Sequence, residues 1–320
     1  MEQILTYNSI QVYNNYDPTR TTELRNLFAR DLKRRFVELE RVIVRAIVER
    51  DCFGLNRSNV LQIDQMVPPY FESFAFARSA DKIKAFMDWL QEQIDRGLLE
   101  IRELEQIGRA IEEAWLNKYI YDSYKRGIIR ARQELRRAGY DVPTIDESGG
   151  IGIIMGTPFH LDRVGVLFTR IFSDLKGITQ EMDMQISRVL AQGMIDGDGP
   201  QLLARKLVSA INGDGVDRLG ITDTLGRFIP AWRRAEMLAR TEVIRAHHLA
   251  TIQEYRNWGV LGITVKAEWR TAGDDRVCER CNALEGRVFA LDEVESLIPI
   301  HPQCRCICLP LVISVTKVEQ

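Results

Sequence analysis

A chain of 320 residues, 45% of them hydrophobic, can bury a sizeable core, and at ~100–200 residues per domain it corresponds to about two domains. Its formal net charge of −2 gives no global attraction to nucleic acid, so any such contact has to come from local patches. The opening MEQILTYNSIQVYNN lacks the basic start and apolar core of a secretory signal, and no stretch reaches the roughly 18 uninterrupted apolar residues of a membrane span. No membrane partner is therefore expected, and a reducing cytoplasm is the expected place of synthesis. In that compartment clustered cysteines point to metal ligands or reactive thiols before disulfides.

From Thr21 to Arg50, residues Leu24, Phe28, Leu32, Phe36, Leu39, Ile43 and Ile47 recur at steps of three and four, which is one face of a long helix. Thr21 or Thr22 can cap it, and its other face carries Arg25, Arg30, Lys33, Arg34, Arg41 and Arg45. After the Pro68-Pro69 break, a second amphipathic helix is predicted over Asp81–Leu99, and a third over about 103–138. In the last part of the third, Tyr124, Ile128, Ala131 and Leu135 share a dry face. Arg126, Arg130 and Arg137 line one basic stripe beside it, and Lys125, Arg132 and Arg136 another. Phosphates or a protein partner could meet these stripes, because each contact releases counterions without reading sequence.

The glycines of SGGIGIIMGTP, 148–158, mark a linker. Helices are predicted beyond it at about 161–175, 178–194 and 200–211, followed by a loop up to Pro230. Pro230 opens a long helix that Gly259 ends. The period then changes to two, since Ile263, Val265, Ala267 and Trp269 alternate with Thr264, Lys266, Glu268 and Arg270, as in a half-buried strand. GRVFAL and CICLPLVISV supply further strands. The expected fold is mainly α with a small α+β C-terminal module. It divides into a helical region at 1–147, the linker at 148–158 and a second domain at 159–320, whose sheet module occupies about 262–320.

That module holds most of the cysteines. Two ligands separated by two residues can turn toward one ion, and tetrahedral zinc typically uses two such pairs. Cys278 with Cys281 and His301 with Cys304 give C-x2-C-x19-H-x2-C, a zinc-ribbon spacing. Cys306 offers an alternative fourth donor, because in extended chain Cys304, Cys306 and Cys308 point to one face. Spacing favours His301. Four protein ligands would close the site and make the zinc structural, whereas ordinary burial of reduced cysteines is the plainer alternative.

Other chemistry is sparse. His247 and His248 diverge by about 100° on a helix, cannot chelate one ion together, and are expected at a surface or interface. HExxH, phosphate-loop, dinucleotide and GxSxG patterns are all missing. An enzyme acting on nucleic acid or a nucleotide would have to pair Glu242 with Asp274 or Asp275 as acid and base.

Three stretches carry a resemblance: ARTEVIRAHHLATIQEYRNWGV, AEWRTAGDDRVCERCNALEGRVF and IPIHPQCRCICLP. Together, Arg240-Thr241-Glu242, Trp269, Thr271, Asp274, Cys278, Cys281, Gly286, His301-Pro302, Cys304 and Cys306 resemble the phage head morphogenesis family, minor head proteins similar to the F protein of phage Mu. FARDLKRRFVELERVIVRAIVERDCFGL and KYIYDSYKRGIIRARQELRRAG also look like the helical N-terminal part of tailed-phage minor capsid proteins, so the resemblance spans nearly the whole chain. It implies a structural protein inside the head, made in the host cytoplasm. Its implied partners are the portal and other head proteins, its implied tasks capsid assembly and DNA packaging or ejection, with phage DNA a possible non-specific contact. It attaches no enzymatic activity to these residues.

Overall fold

Helix α1 (Thr22–Val44) buries the apolar stripe expected of it: Leu24, Phe28, Leu32, Phe36, Leu39 and Ile43 are all at most 5% exposed. The computed structural model describes residues 17–55, 78–99, 115–213, 220–223, 226–260 and 263–315. It is mainly helical, with a small antiparallel sheet near the C-terminus. The α1 stripe continues through Ile47 in a π-helical turn, Arg45–Glu49. Arg25, placed on the solvated face by its spacing, is instead buried and paired with Asp17 at 2.5 Å, which also accepts from Thr22 Oγ1 at 2.7 Å.

Helix α2 (Ser79–Gln93) follows, then α3 (Asn117–Arg137), α4 (Ile151–Met155), α5 (Pro158–Asp196) and α6 (Pro200–Asn212). The third predicted helix is described from Asn117 onward, and its expected start at 103–114 lies outside the described residues. Three expectations are corrected here. The glycine-rich stretch 148–158 contains α4, which buries Ile154 and Met155. The two helices expected at 161–175 and 178–194 are one, because no residue between them breaks the 3.6-residue period. The loop expected before Pro230 holds a hairpin, β1 (Gly220–Thr222) against β2 (Phe228–Pro230).

Helix α7 (Ala231–Val260) precedes strand β3 (Ile263–Arg270), the short α8 (Glu279–Asn282), β4 (Val288–Phe289), α9 (Leu291–Glu295) and β5 (Ile307–Val315). The sheet order is β4-β3-β5, antiparallel throughout. Along β3, Val265, Ala267 and Trp269 are buried while Lys266 is exposed, as the alternation requires.

Two compact units form from non-contiguous segments. The first draws on described residues within 1–28, 103–171 and 237–320, the second on those within 29–102 and 172–236. In the first, the inner sheet face shares a core with α3 and α7: Ala131, Leu135, Ile244, Ile252, Tyr255, Val265, Trp269, Cys281 and Cys304 form one buried cluster.

The approach of α3 to α7 depends on small residues. A Cβ placed on Gly127 would lie 2.3 Å from the His247 carbonyl oxygen and 2.7 Å from Ala250 Cβ, so only glycine fits. One turn away, Ser123 Oγ donates to the Val243 carbonyl at 2.6 Å. This contact seals α7 on the side that carries His247. His247 and His248 are each 3% exposed, not surface residues, and His248 Nε2 lies 3.0 Å from the Val294 carbonyl.

Candidate metal centre

Two turns bring the sulfur and imidazole donors together. Cys278 precedes α8 in extended backbone, and its Sγ accepts from the Cys281 backbone N–H at 3.4 Å. In the second turn the Cys304 N–H donates to the His301 carbonyl at 3.2 Å, with Gln303 between them at a left-handed φ of 61°. Cys281 Sγ then lies 3.1 Å from His301 Nε2 and 4.0 Å from Cys304 Sγ.

Donor atoms of Cys278, Cys281 and His301 all lie within 4.8 Å of one another, as do those of Cys281, Cys304 and Cys306. Cys281 belongs to both sets. Bonds of ~2.3 Å to sulfur and ~2.0–2.1 Å to nitrogen at tetrahedral angles separate donors by about 3.5–3.8 Å, and the Cys281–His301 and Cys281–Cys304 separations fall on either side of that range. His301 Nδ1 faces the Pro302 carbonyl at 2.8 Å, so a proton held there leaves the Nε2 lone pair turned toward Cys281. Each of these two three-donor groups, which share Cys281, could therefore hold a thiophilic metal ion. Cys308 stands apart from both sets: it lies in β5 opposite Trp269, buried in the core.

The thiols bias one another. A hydrogen bond from the Cys306 side chain pulls the Cys304 thiol down, with backbone N–H groups of Cys306 and Ile300 acting the same way against burial. Burial, followed by the charge on Cys304, pushes Cys281 up to about 12. Cys306 is raised strongly, first because its proton serves the bond to Cys304. A bound cation would draw these thiols toward the thiolate.

The surrounding motif residues brace these turns. Asp274 holds Arg305, the residue between Cys304 and Cys306, through two hydrogen bonds. Thr241 Oγ1 on α7 accepts from the Gln303 N–H at 3.0 Å. Gly286 takes a φ of 73° in the turn that sends its N–H to the Trp269 carbonyl at 2.9 Å, a backbone position suited to glycine. Trp269 itself is fully buried. Arg240 donates to Asn26 Oδ1 at 2.7 Å.

Glu242 and Asp274 are engaged elsewhere than in an acid–base pair. Glu242 is 2% exposed and meets Arg245 at 3.0 Å and Arg170 at 3.4 Å. Asp274 is occupied by Arg305 and Arg276, which hold its carboxyl well below the usual range, while Asp275 is exposed.

The basic stripes of α3 differ in access. Arg126, Arg136 and Arg137 are exposed, Arg130 is largely covered and faces Glu134 at 3.7 Å, and Arg132 is buried. Arg132 reaches Glu254 at 3.3 Å, and Glu254 also meets His160 Nε2 at 3.4 Å and the Trp258 indole at 3.0 Å. His160 Nδ1 lies 2.9 Å from the Tyr124 hydroxyl. Spacing does not reveal this buried network, since its members come from α3, α5 and α7. The one available signal is the charge of Glu254 amid the apolar residues Ile252 and Tyr255.

Residues 184–309 match the family model described as Phage Mu protein F like protein. This segment is similar to Mu F-like proteins. The Mu F-like segment holds Arg240-Thr241-Glu242, β3, Asp274 and both ligand turns, and it ends in β5. It begins inside α5, so the likeness expected for the N-terminal helices lies outside the match. No curated protein and no solved structure matches the chain.

Proposed function

We propose that this chain is a structural minor head protein of a tailed phage, associated with the portal vertex and acting in capsid assembly, DNA packaging or ejection. The observation that carries the reading is the Mu F-like match over 184–309, which encloses the whole donor cluster. On this reading the protein resides inside the virion head after assembly in the host cytoplasm, with the portal and other head proteins as partners.

Within it, Cys278, Cys281, His301 and Cys304 hold one structural zinc, and Cys306 is the alternative to His301. Four protein donors leave no open position, so the ion would staple two turns to a sheet of only three strands. The Nε2 of His301, turned toward Cys281, favours histidine as the fourth donor. The exposed Arg126, Arg136 and Arg137 are the proposed footprint for non-specific contact with phage DNA or a partner. Burial of Arg132 and the cover over Arg130 give these two a supporting role at most.

Co-expression with the cognate portal protein tests the assignment. Retention of the chain on purified portal rings or procapsids supports it, and absence from portal rings, procapsids and mature heads alike would refute it. A Glu242→Gln chain that assembles normally but loses a measurable turnover on nucleic acid or nucleotide would favour an enzyme instead.

A further inference from the structure

We infer that Thr241, on α7, is a positioning residue for the metal centre, holding the His301-to-Cys304 turn in shape through the Gln303 backbone; this rests on the zinc reading above. The Thr241 hydroxyl donates its one proton to the Met237 carbonyl at 2.7 Å. That bond fixes its rotamer and leaves oxygen lone pairs to accept from the Gln303 N–H at 3.0 Å.

Gln303 is the residue that needs holding. Its φ of 61° is one that a side chain with a Cβ adopts only when its surroundings impose it. It occupies the position directly before Cys304 in the His301-Pro302-Gln303-Cys304 turn, which closes through the Cys304 N–H to His301 carbonyl bond at 3.2 Å. If Gln303 relaxed to negative φ, the peptide plane before Cys304 would rotate and carry the Cys304 side chain away from its place relative to His301. The threonine oxygen therefore supports the left-handed residue, that residue shapes the turn, and the turn sets two of the four donors.

This assigns chemistry to the middle residue of Arg240-Thr241-Glu242, and it ties the metal centre to a helix buried in the core of the same unit. A hydroxyl is required at 241, but the threonine methyl is not. Supporting groups behind metal ligands typically contribute about 10–100-fold in affinity.

The test uses the full chain with cobalt(II) as the spectroscopic metal and zinc in competition with a chromophoric chelator. Thr241→Val is expected to weaken zinc binding by roughly tenfold or more and to shift the visible absorption of bound cobalt, while Thr241→Ser keeps both at the wild-type values. A valine variant that melts earlier yet binds zinc with unchanged affinity and shows an unchanged cobalt spectrum would overturn the inference and leave the zinc reading intact. A wild-type chain that takes up no metal would overturn both. Should the valine variant fail to fold, hydrogen exchange on the wild-type zinc-loaded chain decides: a protected Gln303 amide supports the bond, and exchange at the rate of a free amide refutes it.

Discussion

Asp274 and Arg305 meet fork to fork, with Nη1 to Oδ2 at 2.6 Å and Nη2 to Oδ1 at 2.5 Å, so one ion pair joins the segment before the first cysteine pair to the residue between Cys304 and Cys306. Both side chains are largely covered, at 8% and 14% exposure, which limits screening by solvent. Asp274→Asn keeps the shape and removes the charge. It is expected to lower unfolding free energy by about 1.5–3 kcal/mol, the range for a hydrogen bond to a charged group, as read from urea denaturation at neutral pH. Arg305→Lys should lose nearly as much, because an ammonium cannot reproduce the two-pronged contact.

The crossing of α3 and α7 makes Gly127 a second sensitive point. Gly127→Ala forces a methyl group toward the His247 carbonyl oxygen, a backbone atom that cannot swing away. Overpacking of this kind costs about 1–3 kcal/mol, and here it should also loosen His247. Gly97→Ala is the control, since an added Cβ there meets nothing within 4 Å. Comparison of urea midpoints checks the pair, and equal midpoints would refute the close crossing.

Burial drives His247 down to about 3 and His248 down to about 4, in both cases ahead of any neighbouring charge. The unfolded chain would protonate each near its ordinary value of about 6.5. Below that pH the unfolded state binds more protons than the folded one, so stability is complete above about 6.5 and declines toward about 4 by up to ~1.4 kcal/mol per pH unit for each histidine. Urea titrations of chelator-treated protein across this window, which keep metal release out of the slope, should show the loss. His248→Gln should reduce its steepness.

Cys281 is common to both donor sets, whereas Cys306 belongs to one. Cys281→Ser is therefore expected to abolish metal retention. With His301 as the fourth donor, Cys306→Ser should keep one ion per chain and His301→Ala should weaken it at least ~10-fold, as measured by chelator competition. The reverse ranking of these two variants would make Cys306 the ligand.

The sequence pattern gave a sound view of faces and a poorer one of neighbours. Leu24 to Ile43 on α1, Tyr124 to Leu135 on α3 and Val265 to Trp269 on β3 all turn inward, because a period of 3.6 or 2 reports directly which side is dry. The proximity of the ligand turns was legible for a similar reason, since C-x2-C and H-x2-C carry their own local geometry. Periodicity fades where an element is covered all round. Much of α7 is buried on successive residues, including Val243, Ile244, Ala246, His247 and His248, so its histidines gave no sign of their burial. Arg132 looked like its solvated neighbours because its partner Glu254 lies 122 residues away in the chain. The shared core of α3 with the C-terminal sheet was hidden likewise, as it joins segments that the glycine-rich stretch seemed to divide.

The most direct measurement is the metal content of the folded chain by native mass spectrometry, on full-length protein purified without added metal, beside its Cys281→Ser variant. One zinc per wild-type chain and none on the variant is the expected result; a wild-type chain that is folded and free of metal would contradict a zinc-stapled head protein.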